Sequence, residues 1–166
     1  MHLRPALTAD AAAIAAIYNH YILTTTISFE EEPVDGDEIA RRMAGVQSTG
    51  LPYLVAEVDG IVTGYAYATP LRVRRAYRSS VETSVYVAMD QHARGTGSAL
   101  YRALLLQLAQ DGYHLAIGGI AQPNAASVAL HEKMGFEKVA HFKEVGNKFG
   151  RWVDVGYWQL VLTASD

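Results

Sequence analysis

The chain contains no cysteine among its 166 residues. Disulfides and thiolate metal sites are therefore excluded. A surplus of positive charge is missing too. Fourteen Lys and Arg against seventeen Asp and Glu give a net charge of −3, whereas bulk nucleic-acid binding needs a basic surface. No apolar run approaches the ~18 residues of a membrane span. The opening residues, Met1-His2-Leu3-Arg4-Pro5, lack the apolar core of a signal peptide. These absences lead to the expectation of a cytoplasmic protein with neither nucleic acid nor membrane as partner. No internal repeat, low-complexity tract or linker is visible. The reading is a single domain over residues 1–166, long enough to bury a full core. Half of the residues are apolar, an ordinary share for a globular chain.

The pattern that remains is mixed α/β with a mainly antiparallel start. Leu3–Ala6 reads as a short strand, and Thr8 as the N-cap of a helix over Ala11–Tyr21. Asp35–Val46 reads as a second helix ended by Gly45 or Gly50. Tyr53–Val58 and Ile61–Thr69 flank Asp59-Gly60, a strong hairpin signal. Pro70–Ser79 is a loop with four arginines: Arg72, Arg74, Arg75 and Arg78. A strand over Val81–Ala88 and a helix over Gly97–Gln110 follow, the helix stopped by Gly112. His114–Gly119 reads as a strand, Asn124–Lys133 as a helix closed by Gly135, and Lys138–Gly146 and Val153–Leu162 as two last strands.

Between one strand and the next helix stand Arg94-Gly95-Thr96-Gly97-Ser98. Glycine lets the backbone approach a ligand closely. The first turn of a helix offers free N–H groups and partial positive charge. Together they favour a phosphate or pyrophosphate. A Gly-x-Gly alone is equally the sequence of a tight turn. No Gly-Lys-Ser/Thr follows, so a P-loop is excluded, and Leu100 stands where a dinucleotide fingerprint needs its third glycine.

Downstream runs Pro123-Asn124-Ala125-Ala126-Ser127-Val128-Ala129-Leu130-His131-Glu132-Lys133-Met134-Gly135-Phe136. The two blocks, in this order, resemble the GNAT N-acetyltransferase superfamily. Its first signature is Gln/Arg-x-x-Gly-x-Gly/Ala, a loop and helix that hold the pyrophosphate of acetyl-CoA. Its second is an Asn, a Ser or small residue three on, an aromatic or His seven on, and a closing Gly-Phe. His92 occupies the Gln/Arg position and departs from the pattern; Arg94 stands two residues on to supply charge.

Three further stretches are similar to the phosphinothricin and methionine-sulfoximine N-acetyltransferase group. They are Ile17–Pro33, Ala76–Val87 and Lys148–Leu160. The resemblance implies a GNAT fold: a central, mixed, mostly antiparallel twisted sheet flanked by helices, with a splayed strand pair at the acetyl-CoA site. It implies acetyl-CoA as co-substrate, no metal, a small-molecule amine acceptor and a homodimer. Cofactor contacts then fall on Val85, Tyr86 and Val87, on His92, Ala93, Arg94, Gly95, Thr96, Gly97 and Ser98, and on Asn124 and Ser127. Arg75, Ala76, Tyr77, Glu82 and Phe29 would meet the acceptor. The Lys148–Trp152 segment would shape its pocket.

Acetyl transfer to an amine needs a base for the ammonium proton and donors for the thioester oxygen. Strand alternation places Glu82, Ser84 and Tyr86 on one face and Val81, Thr83, Val85 and Val87 on the other. By the strand pattern alone Glu82 is as well read as a solvated residue; the resemblance makes it the general base. His131 stands where relatives carry a thiolate-protonating tyrosine, and it is read as that acid or as a packing residue. Asn124 is a helix cap and, by resemblance, a pantetheine contact. An arginine of the Arg72–Arg78 loop is expected to hold an acidic group of the acceptor. Tyr86 and Tyr101 read mainly as core, and core also accounts for Trp152, Tyr157 and Trp158. A peptide N-acetyltransferase and a non-catalytic acyl-CoA-binding regulator stay open as alternatives.

Overall fold

The computed structural model describes residues 1–91 and 94–162. His92 and Ala93, both read above as cofactor contacts, lie outside the described residues. Seven strands form one sheet: β1 (His2–Pro5), β2 (Tyr53–Val58), β3 (Ile61–Pro70), β4 (Ser80–Val87), β5 (Leu115–Ala121), β6 (Glu137–Lys148) and β7 (Arg151–Val161). Four helices flank it: α1 (Ala11–Thr24), α2 (Gly36–Ser48), α3 (Thr96–Gln110) and α4 (Ala125–Lys133). The order across the sheet is β1-β2-β3-β4-β5-β7-β6. Every neighbouring pair is antiparallel except β4 and β5. That parallel pair is joined through α3, as parallel neighbours require a crossover. No helix among the described residues is long and apolar enough to cross a membrane.

Alternation along the strands sorts side chains to two cores. Val55 and Tyr65 pack with Ile14, Ile17, Ile39 and Met43 of α1 and α2. Ala56, Ala66 and Val81 pack on the other face against Leu100, Leu104 and Leu108 of α3. The small residues let α3 sit close. At Gly64 a Cβ would stand 3.0 Å from Leu100 Cδ1 and from the Tyr86 carbonyl oxygen.

Turn and cap chemistry set the boundaries. Asp59 and Gly60 both take positive φ, 52° and 79°, as a two-residue hairpin requires. Phe149 and Gly150 repeat this at 53° and 70° and join β6 to β7. Asp35 caps α2 by accepting the Glu38 N–H at 2.8 Å, and Gly50 follows at φ 79°. Thr8 is not the N-cap it was read to be. It opens a 3-10 turn, Thr8–Asp10, and the Asp10 carboxylate takes the Leu7 N–H at 2.8 Å. Asp10 is itself gripped by Arg4 at 2.7 and 2.9 Å, a partner on another element. Trp158 is buried core, but Trp152 is 66% exposed, so the core reading fails for Trp152.

Gly118 on β5 tests the packing between sheet and α4. A Cβ there would overlap Nε2 of His131, whose ring is wedged edge-on against Tyr101 and Phe136 at 4.9 and 5.1 Å. Gly118→Ala is expected to cost about 2 kcal/mol by overpacking, read as a lowered urea midpoint. An unchanged midpoint would show that the ring has room.

Candidate active site

The site begins where β4 leaves β5. The two strands pair only at Ser80, Val81 and Glu82, opposite Leu115, Ala116 and Ile117. Beyond Glu82 the ladder stops, so the expected splay is present. The Thr83 hydroxyl takes over from the main chain at that point. It donates to the Ile117 carbonyl at 3.3 Å and receives the Tyr101 hydroxyl at 2.7 Å. Tyr101 is fully buried, matching its reading as core. A small slit opens between the strands, lined by Ser84, Val85, Gly119, Asn124 and His131 among others.

On one side the slit joins a groove of about 480 Å³. Val85, Tyr86 and Val87 form its strand wall, and Gly95, Thr96, Gly97 and Ser98 its helix wall. Asn124 and Ser127 close it. Nine of the ten described residues expected to meet the cofactor line this groove; the tenth, Arg94, is exposed in the turn before α3 and does not. Gly95 is the residue before α3, at φ 81°, a conformation glycine adopts without strain. Gly97 answers a different need. A Cβ there would make only ordinary contacts, 3.5 Å to Val87 and 3.7 Å to Leu130. The protein's own packing does not require this glycine; a Cβ would narrow the groove instead. The first intrahelical bond is Ala99 N–H to the Gly95 carbonyl at 3.0 Å, so earlier N–H groups in the turn have no helical acceptor. An open backbone cradle of this kind fits the pyrophosphate of acetyl-CoA. Lys133, also lining the groove, adds a cation that motif reading missed. Its signal was available: Ser127, Leu130 and Lys133 follow one another at three-residue helical spacing.

Asn124 is a cap, as read: its Oδ1 accepts the Ser127 N–H at 3.1 Å. The Ser127 carbonyl in turn accepts from Nδ1 of His131 at 2.8 Å. His131 is 5% exposed, and burial lowers its pKa below the ordinary value, with the Ser127 bond opposing. The ring is therefore neutral near pH 7, with its proton on Nδ1 and its lone pair on Nε2.

On the other side of β4 lies a cavity of about 460 Å³ that receives Glu82. Tyr18, Phe29, Glu30, Tyr86 and Tyr157 line it with Glu82. Tyr157 thus has a site role beyond the core reading. Ile27 and Tyr86 line the groove, the slit and this cavity, so the three spaces meet at those two residues. Arg75, Ala76 and Tyr77 stand apart. They form an exposed 3-10 turn, and none is among the residues lining the cavity around Glu82.

The wall carrying Ile27 and Phe29 is pinned from three sides. Asn19 exchanges two hydrogen bonds with the Val34 main chain, at 2.7 and 2.8 Å. Arg42 grips the Glu30 carboxylate with two bonds, at 2.9 and 2.7 Å. Lys148, 1% exposed, donates to the carbonyls of Ile22 and Ser28 at 2.7 and 2.6 Å. Phe29 also rests on Gly146, where a Cβ would overlap its ring. The Lys148–Trp152 segment therefore shapes the pocket through Lys148, from behind the wall.

Residues 3–156 match the family model for an acetyltransferase (GNAT) domain. The phosphinothricin N-acetyltransferase of Alcaligenes faecalis is 45% identical over 95% of this chain and 80% of its own length. The L-methionine sulfoximine/L-methionine sulfone acetyltransferase of Salmonella typhimurium is 40% identical over 98% of this chain and 95% of its own. Among solved structures, a GNAT phosphinothricin acetyltransferase from Sinorhizobium meliloti in complex with acetyl-CoA superposes with a TM-score of 0.95. It is 37% identical and covers 98% of this chain and 88% of its own. The chain belongs to the GNAT acetyltransferase family.

The state of His131 has a consequence for stability. Below the ordinary 6.5 the unfolded chain protonates this residue while the folded chain resists. Stability then falls as pH drops, by at most about 1.4 kcal/mol per pH unit. The lowered carboxyls of Asp10 and Glu30 act beneath their ordinary 3.8 and 4.5. Thermal unfolding between about pH 7 and about pH 5.5 should show a decline that shrinks in His131→Phe. An equal decline in the variant would remove His131 as its source.

Proposed function

We propose that this enzyme moves the acetyl group of acetyl-CoA to the amine of a small amino-acid-like acceptor, with Glu82 as general base. The acceptor class follows the relatives: phosphinothricin, methionine sulfoximine or methionine sulfone. One observation carries the base assignment. Glu82 is the last residue of β4 paired to β5, and its side chain lines the acceptor cavity at the edge of the slit. A carboxylate there separates amine from thioester by one opening.

The acceptor's ammonium gives its proton to Glu82. The freed amine attacks the thioester carbonyl carbon; the N–C bond forms, the C–S bond breaks, the electron pair leaves with sulfur, and the surplus proton on nitrogen passes to the thiolate, giving a neutral amide and free coenzyme A thiol. Main-chain groups along Val85, Tyr86 and Val87 that face the slit and the groove serve the carbonyl oxygen and the pantetheine arm, with Asn124 beside them. The first turn of α3 and Lys133 take the pyrophosphate. His131 enters this reading as a neutral wall of the slit. Its Nδ1 proton is committed to the Ser127 carbonyl, which leaves no proton on Nε2 for the departing thiolate.

The acid-recognition role of the Arg72–Arg78 loop rests on its charge and place. None of its four guanidiniums forms an ion pair among the described residues, and the loop leads straight into β4. A homodimer is supported by the edge strand β6. Val139, Phe142 and Val145 on it, with Phe149 and Trp152 beyond, are each at least 51% exposed, a row of apolar groups suited to a second copy.

Release of free thiol from acetyl-CoA should follow addition of methionine sulfone, methionine sulfoximine or phosphinothricin, and should fail with peptides. Glu82→Gln is expected to lower kcat by about 10²–10⁴-fold with acetyl-CoA affinity held. Turnover at the wild-type rate would take Glu82 out of the mechanism.

A further inference from the structure

A second cavity, of about 400 Å³, lies on the same sheet face as Glu82, between α2 and strands β2 and β3. Tyrosines make its floor. Tyr53 stacks with Tyr67 at 4.8 Å between centroids and with Tyr65 at 6.0 Å, in both cases within 10° of parallel. Tyr53 and Tyr65 are only 5% and 2% exposed. Neither phenol hydrogen-bonds to another described residue, yet no sealed-in side-chain oxygen lacks a partner among them. Both hydroxyls therefore keep accessible surface, and both residues line this cavity, where an occupant that accepts hydrogen bonds can satisfy them.

Sheet register connects this cavity to the base. Thr69, on its wall, is the cross-strand partner of Glu82, and Tyr67 is the partner of Ser84. One strand spacing, about 4.8 Å, thus separates the two floors. Tyr18 lines both spaces. The rim carries Arg41 and Arg42, but both are paired with Glu38, and Arg42 also with Glu30. Their charge is already matched, so the cavity favours an uncharged occupant. Stacked rings suit a flat group, and free phenols suit one that accepts hydrogen bonds.

We propose that this cavity is the subsite for the distal end of the acceptor side chain. The acceptor class then includes amino acids ending in a flat, uncharged group such as an aryl ring carried on a sulfone. The proposal rests on Glu82 being the base that receives the acceptor's amine.

Gly45 on α2 supplies the test. It lines the cavity, and a Cβ there meets nothing within 4 Å, so Gly45→Leu fills the space while favouring the helix. The probes are L-methionine sulfone and S-benzyl-L-cysteine sulfone. Wild type should take both with KM values within about threefold. Gly45→Leu should raise KM for the benzyl acceptor by about tenfold or more, leaving methionine sulfone and acetyl-CoA within about twofold. Equal changes for the two acceptors, no change, or refusal of the benzyl acceptor by wild type overturn the subsite and leave Glu82 as base. If neither acceptor is turned over, the base reading fails. Calorimetric binding of the benzyl acceptor then decides the subsite: about tenfold weaker binding to the variant supports it, and equal binding overturns it.

Discussion

Where β4 parts from β5, a side-chain pair does the work of a main-chain ladder. Thr83 bridges to Ile117 and is backed by Tyr101. Backbone groups cannot be left unpaired inside a protein without cost, so a gap in the middle of a sheet needs both a support and a use. Tyr101 of α3, fully buried, is the support. The groove and the slit are the use. The groove proposed for acetyl-CoA follows from that gap: a strand wall, a helix start facing it, and Asn124 closing the end. Without the gap, Glu82, the proposed base, would sit on a continuous strand with no slit beside it.

The acceptor side is built by different means. Its wall is a connector of low regular structure, and rigidity comes from long-range bonds. Asn19, Arg42 and Lys148 reach it from α1, α2 and β6. A buried ammonium is costly to desolvate. Lys148 meets that cost with two carbonyl acceptors and the face of Phe149, 5.0 Å from its nitrogen. The wall is therefore preformed, and an acceptor need not order it on arrival.

Local chemistry was legible in the sequence, and distant partnership was not. Asp59-Gly60, the Asn124 cap and Gly95 could be read because each acts on its own backbone within a few residues. The splay was reachable only through family resemblance, since Val-rich β4 looks like any half-buried strand. Thr8 was read as the cap; the part played by Asp10 depends on Arg4, which sits on another element. The exposure of Trp152 was hidden for a similar reason: burial depends on whether another element covers the residue, and none does. Lys148 was placed at the acceptor pocket only by resemblance and Lys133 carried no role of its own; their partners appear only once β6 and α4 are folded against their neighbours. His131 was visible as a candidate, but its protonation state depends on a carbonyl and two rings that sequence spacing does not orient.

The two halves of the site hang on separate supports. The groove walls belong mainly to β4, α3 and α4; the wall of the Glu82 cavity belongs to the segment between α1 and α2 and to the tip of the β6–β7 hairpin. Asn19, Arg42 and Lys148, which pin the wall, are not among the residues lining the cofactor groove, so substitutions that remodel the wall away from Ile27 leave the cradle's supports in place. A lineage built this way can exchange one amine substrate for another while keeping a fixed acyl donor. The fold thus separates what is inherited from what is free to vary.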